Sequence, residues 1–227
     1  PPRSTLSSSS AASDVYKRQP YMGNLVAFVD YDKCNRCGLC TGYCEFDSID
    51  TGDVDQMTCE GCGVCAIVCP QKAIELKPIK TAEMIVREVK NGKLISADMQ
   101  IGSEGSGKLI AQLKKVAKDH TKSGETIVID GSPGIGCPVI SSITGSDLVL
   151  MVVEPTKSGL SDYLRVQELC DHFDIQTMVC INKYDINVEI SEEIESFCAR
   201  NDIALVGKIP FDDTVLKSIE ELKPLVH

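Results

Sequence analysis

Residues 34–44 read CNRCGLCTGYC, and residues 59–70 read CEGCGVCAIVCP. Cys34, Cys37, Cys40 and Cys44 follow the spacing C-x-x-C-x-x-C-x-x-x-C. Cys59, Cys62, Cys65 and Cys69 repeat it, and Pro70 follows. This tandem spacing predicts two iron–sulfur clusters. A four-iron cube needs four converging thiolates. The first three cysteines of a run wrap one cube, and the fourth is carried across to the other. The expected ligand sets are therefore Cys34, Cys37, Cys40 and Cys69 for one [4Fe-4S] cluster, and Cys59, Cys62, Cys65 and Cys44 for the other. Structural zinc needs four ligands with its pairs spread apart, a poor account of two complete tandem sets. Gly38, Gly61 and Gly63 lie inside the loops, where backbone must pass close to inorganic sulfide.

Outward from the cysteines, EFDSID after Cys44 corresponds to PQKAIE after Cys69, so the unit repeats internally. Glu45 stands where Pro70 stands in the second half, a change in turn chemistry that leaves ligation intact. A compact cysteine-rich domain is expected over 31–80. NLVAFVD (24–30) is a short strand leading into it, part of a remnant strand at 20–30. MIVREVK and KLISADMQI flank Asn91-Gly92, which predicts a β-hairpin over 82–101 with a type I′ turn. Beyond it the pattern alternates. Leu109, Ile110, Leu113, Val116 and Ala117 share a helical face. TIVID (126–130) is a short strand, and DLVLMVVE (147–154) is a continuous apolar strand of the kind buried on both faces. Leu160, Tyr163 and Leu164 begin a helix. QTMVCIN (176–182) is a strand, and Ile190, Ile194, Phe197 and Cys198 mark another helix. IALVGKIP (203–210) is the last strand, before a final helix at 212–222. This order predicts an α/β fold with a largely parallel sheet covered by helices.

The formal charge of −10 and a pI near 4.8 oppose binding to nucleic acid or to an anionic membrane surface. The longest wholly apolar run, Leu148 to Val153, is too short to span a bilayer. Eight of the twelve cysteines have ligand spacing, which points to a reduced, cytoplasmic setting rather than a disulfide scaffold. Cys170, Cys180 and Cys198 read as small apolar core residues; Cys137 lies in a glycine- and proline-rich loop. Residues 1–19, PPRSTLSSSSAASDVYKRQ, show no helical or strand period and no apolar centre for a signal peptide. They are expected to be a non-native leader, with native sequence starting near Pro20. His120, His172 and His227 are scattered and form no catalytic pair.

In open parallel sheets ligands bind beyond the carboxyl ends of the strands, and three unusual loops fall there. Asp130 opens DGSPGIGCP, Glu154-Pro155-Thr156 ends the next strand, and Asn182-Lys183-Tyr184-Asp185 ends a third. An aspartate at a strand end suits Mg²⁺ beside a nucleotide. Gly134-Ile135-Gly136 suits backbone approach to a γ-phosphate, and Asn182 and Asp185 suit a base edge. Each alone reads better as turn chemistry.

In this order, DGSPGIGCPVI, VVEPTKSGLSD, INKYD and IPFDD resemble MinD/ParA-type deviant P-loop ATPases, specifically those carrying an inserted two-cluster ferredoxin domain. The resemblance runs from about residue 24 to the end. It implies a P-loop-type fold whose C-terminal part is residues 81–227. It further implies ATP and Mg²⁺, a homodimer or a heterodimer with a related ATPase, and a redox or cofactor-assembly protein as partner. By resemblance Asp130 is the catalytic, Mg²⁺-side acid, Gly134 senses the γ-phosphate, Asn182 contacts adenine and Pro210 lies beside the base. The implied function couples nucleotide state to electron transfer or to iron–sulfur and metal cofactor handling. The alternative is a ferredoxin-type electron carrier on a scaffold that does not hydrolyse ATP.

One part of that pattern is missing. The glycine-rich Walker A loop belongs before the cysteine runs, and residues 20–33 contain none. The stretch Gly102–Lys108 fits G-x-x-x-x-G-K but has Leu109 where Ser or Thr should reach Mg²⁺; it reads as a helix start. Without the strand that carries the true loop, neighbouring strands should expose unpaired edges and apolar faces. The C-terminal part is then expected to be marginally folded or prone to aggregate. The 227-residue chain is expected to bind ATP weakly and hydrolyse it negligibly, and a phosphate-release assay showing sustained turnover would contradict this.

Overall fold

The computed structural model describes residues 15–103 and 106–222. Residues 1–14 of the expected leader, Glu104 and Gly105 of the glycine-rich stretch, and His227 lie outside the described residues. The chain divides after Thr121 into two compact units.

The first unit is organised by one long antiparallel ladder. Strand β1 (Val15–Val29) pairs with β4 (Ile74–Val89), running from Val15 opposite Arg87 to Val29 opposite Ile74. Between them in sequence lie helix α1 (Leu39–Gly42), the two-residue strands β2 (Ile49–Asp50) and β3 (Asp53–Val54), and helix α2 (Val64–Val68). β5 (Gly92–Met99) completes the sheet on the far side of β4, in the order β1-β4-β5. Helix α3 (Gly107–Asp119) starts at Ser106, whose side chain accepts a hydrogen bond from the Leu109 N–H. Leu109 is buried in a small core with Ala82 and Met84.

Three expectations differ here. Residues 15–19, set in the leader, are strand, because each pairs or packs. Arg18 bridges to Glu83, and the Tyr16 ring meets His120 edge-on at 6.1 Å between centroids. The expected division at 80/81 falls inside β4, where the ladder to β1 is continuous. The hairpin forms, but its two-residue loop is Lys90-Asn91, with Val89 opposite Gly92. Neither loop residue takes the positive φ that a type I′ turn requires.

The second unit holds helix α4 (Cys137–Ile143) and a parallel sheet ordered β6-β7-β8. Its strands are β6 (Leu148–Val153), β7 (Gln176–Asn182) and β8 (Ala204–Ile209). Helices α5 (Lys157–His172) and α6 (Val188–Arg200) are the two crossovers, and α7 (Asp213–Glu220) follows β8. The core joins Met151, Val153, Val179 and Ile181 of the sheet to Tyr163 and Cys170 of α5 and to Ile194 and Cys198 of α6.

Burial on both faces of β6 was expected; the structure buries one. Met151 and Val153 are covered, while Leu150 and Val152 are 54% and 60% exposed. Strand order explains this. When parallel strands follow one another in sequence, right-handed crossovers put every connecting helix on the same face. The expected strand 126–130 is irregular, with Val128 89% exposed. β6 is the edge of its sheet, and among the described residues no strand pairs with this segment to complete a ladder.

Ile194 is fully buried at the centre of the second core. Ile194→Ala should cost about 2–5 kcal/mol, read as a lowered midpoint in urea unfolding followed by far-UV circular dichroism.

Candidate metal centre

The eight ligand-spaced cysteines sit between the end of β1 and the start of β4, where the ladder brings the two halves of the repeat together. The Asp30 N–H donates to the Ala73 carbonyl at 2.7 Å, and the Cys34 N–H to the Asp30 carbonyl at 3.0 Å. Between the halves, the buried Ser48 hydroxyl reaches the Thr58 carbonyl at 2.6 Å, and the Asp55 N–H donates to the Ser48 carbonyl at 2.8 Å. Ala27, Ile49 and Ile74 form the small apolar core under the cysteines. Each half carries a short helix inside the cysteine run, containing Cys40 in α1 and Cys65 in α2.

Two open recesses of about 370 and 310 Å³ lie in this region. Cys44, Cys59, Cys62 and Cys65 line the larger; Cys34, Cys37, Cys40 and Cys69 line the smaller. The fourth cysteine of each run thus faces the recess built by the first three of the other. Cys37 and Cys62 are exposed, Cys40 is buried, and the remaining five are part-buried. The repeat extends to hydrogen bonding. Ser48 donates its backbone N–H to Cys44 Sγ, and Ala73 donates its own to Cys69 Sγ, both at 3.4 Å and both four residues on. Burial pushes the Cys65 thiol above the ordinary cysteine range, with Cys59 and Cys62 adding to the effect. Among the described residues no three His, Cys, Asp or Glu side chains close on a single metal ion; the cysteines stand instead around recesses. Four sulfur donors per recess, with a backbone donor to one of them, suit an iron–sulfur cube.

Gly61 shows how tightly β1 lies on the second loop. Its φ is +64°, and a Cβ there would stand 2.1 Å from the Leu25 carbonyl oxygen. The corresponding first-loop residue, Arg36, has φ +56° and carries a side chain. Sequence reasoning passed over Arg36 and Glu60, although aligning the two halves sets Asn35-Arg36 against Glu60-Gly61.

The second unit gathers four of the expected nucleotide residues at the carboxyl end of its sheet. Glu154 directly follows β6 and accepts from Lys183 Nζ at 2.6 Å. Asn182 ends β7. Asp185 lies in the 3₁₀ turn Tyr184–Ile186 and accepts the Phe211 N–H at 2.7 Å, which ties the loop after β7 to the one holding Pro210. Asp130 and Gly134 occupy the irregular stretch 125–136, so Asp130 does not stand at a strand end as expected. Gly134 has φ +87°. Cys170 and Cys198 are buried, Cys180 is part-buried, and Cys137 is exposed at the start of α4.

Residues 27–50 and 53–75 each match the family model of a 4Fe-4S binding domain. Iron–sulfur binding therefore rests in this region, and the two motifs imply two 4Fe–4S clusters. Over 189 residues the chain is 41% identical to an uncharacterized protein of Methanocaldococcus jannaschii, covering 83% of this chain and 63% of the relative. A second uncharacterized protein of that organism is 28% identical over 114 residues, 50% of this chain and 42% of the relative. An uncharacterized ATP-binding protein of the same organism is 29% identical over 106 residues, 46% and 40% of the two chains. The chain thus spans less than two thirds of the length of each of these relatives. Among the described residues no helix is long and apolar enough to cross a membrane.

Gly61→Ala should push the second loop away from Leu25 and lower the iron and acid-labile sulfide held per chain by about half or more. Unchanged iron content in the anaerobically reconstituted variant would contradict this close approach.

Proposed function

We propose that this chain is the ferredoxin-bearing part of a MinD/ParA-type ATP-binding protein, in which nucleotide state is coupled to electron transfer or to handling of metal and iron–sulfur cofactors. The observation that carries the reading is the exchange of fourth cysteines between two four-cysteine recesses within one unit. On this reading Cys34, Cys37, Cys40 and Cys69 hold one cluster, and Cys59, Cys62, Cys65 and Cys44 hold the other. Bound there, the clusters supply one-electron chemistry. The protein's own part is to present thiolates, donate backbone N–H bonds to Cys44 and Cys69, and cover the inner sulfurs with Ala27, Ile49 and Ile74.

The nucleotide half of the reading is supported by similarity to a protein named as ATP-binding, and by the position of Glu154, Asn182, Asp185 and Pro210 at the carboxyl ends of β6, β7 and β8. Asp130 as the Mg²⁺-side acid and Gly134 as the γ-phosphate contact belong to the same proposal. So do a dimeric state and a protein redox or cofactor-assembly partner in the reducing cytoplasm. A second reading is an electron carrier on a scaffold without ATP hydrolysis. In its favour, the G-x-x-x-x-G-K stretch Gly102–Lys108 leads into α3 with Leu109 buried against Ala82 and Met84, and so supplies no Mg²⁺-binding hydroxyl of its own.

Anaerobic reconstitution of the full chain should yield about eight irons, with EPR signals of reduced clusters after dithionite. Saturating Mg-ATP should alter that spectrum. An unaltered spectrum would favour the second reading, and zinc in place of iron would overturn both.

A further inference from the structure

The two recesses are close in size, and each has one backbone donor to its fourth cysteine. Neither size nor sulfur hydrogen bonding therefore separates them. Their walls do. The recess of Cys34, Cys37, Cys40 and Cys69 is lined by Asn35, Arg36, Thr51 and Gln71 together with Leu39, Pro70 and Ile74, and Arg36 is its charged residue. The recess of Cys59, Cys62, Cys65 and Cys44 is lined by Tyr43, Phe46, Val54, Val64 and Leu76, with Glu60 as its charged residue. At adjoining places in the aligned loops, one recess has the guanidinium of Arg36 and the other the carboxylate of Glu60, and the wall of the second is the more apolar. The tight fit of β1 explains why the second loop has no counterpart of Arg36. The Leu25 carbonyl excludes any side chain at position 61, while position 36 has room for arginine.

We propose that the chain is built as a one-way electron store: Arg36 makes the Cys34/Cys37/Cys40/Cys69 end the stronger electron acceptor, and Glu60 with its apolar wall makes the Cys59/Cys62/Cys65/Cys44 end the weaker one. This rests on the two-cluster reading above. Each reduction adds one electron, hence one negative charge, to a centre already ringed by thiolates. A nearby positive charge favours that addition; a nearby negative charge and an apolar wall oppose it. An electron delivered to either end by a low-potential donor comes to rest at the Arg36 end. A second electron is accepted at the Glu60 end only from a stronger reductant.

The test is an EPR-monitored redox titration of the reconstituted full chain, with dithionite as reductant and iron and sulfide measured on each sample. Two one-electron waves should appear, at least about tenfold apart in reduction equilibrium, which is 59 mV for a one-electron couple. Arg36→Gln should move the higher wave down by roughly tenfold and leave the lower one in place, while Arg36→Lys should keep it near its original position. Glu60→Gln should move only the lower wave up. Full iron with both waves insensitive to Arg36 and Glu60, or with both shifting together, overturns the store while leaving the two-cluster reading intact. A chain that takes up no iron and sulfide overturns both.

Discussion

Eight thiols must stand around two points, and a loop of some forty residues cannot hold them there unaided, because conformational entropy opposes every ordered residue. The constraint that solves this is the β1–β4 ladder. By pairing Val29 with Ile74 and Ala27 with Leu76, it clamps the start of the cysteine region to its end. Once the ends are clamped, the fourth cysteine of each run reaches the other run's recess. The pairing of residues 15–20 with 83–87 extends the clamp well past the sulfurs. The hydrogen bonds from Asp30 to Ala73 and from Ser48 to Thr58 then lock the two halves in register.

That clamp also breaks the symmetry of the repeat. Leu25 of β1 lies hard against Gly61 of the second loop, so equivalent positions face different neighbours. Gly61 is forced to be small, and Arg36 is not. Glu60 and the more apolar wall fall to Cys44, Cys59, Cys62 and Cys65, and Arg36 falls to the other four cysteines. A duplicated motif thus becomes two unlike sites through one packing contact.

In the second unit the dominant constraint is handedness. Sequential strands β6, β7 and β8 with right-handed crossovers place α5 and α6 on one face. The other face keeps Leu150 and Val152 open to solvent. The apolar run at 147–154 was legible as a strand because its composition is local information. Whether both its faces are covered depends on strand order, which composition does not encode. The irregular state of 126–130 has the same origin: β propensity is expressed only where a neighbouring strand supplies a ladder.

The sequence by itself determined the cofactor class, because thiol spacing is chemistry written along the chain. It also determined most helices and strands of the second unit, where periodicity of 3.6 or 2 follows local burial, and β7 appears over its expected residues 176–182. The charges of Arg36 and Glu60 were there to be read once the halves were aligned. Only the tertiary structure decided that residues 15–19 belong to a strand, that the hairpin loop is Lys90-Asn91, and that Asp130 stands off any strand end. The strand at 15–19 depends on partners distant in sequence, such as Glu83 for Arg18, and so does the close approach of Leu25 to Gly61. Contacts of that range carry no local signature.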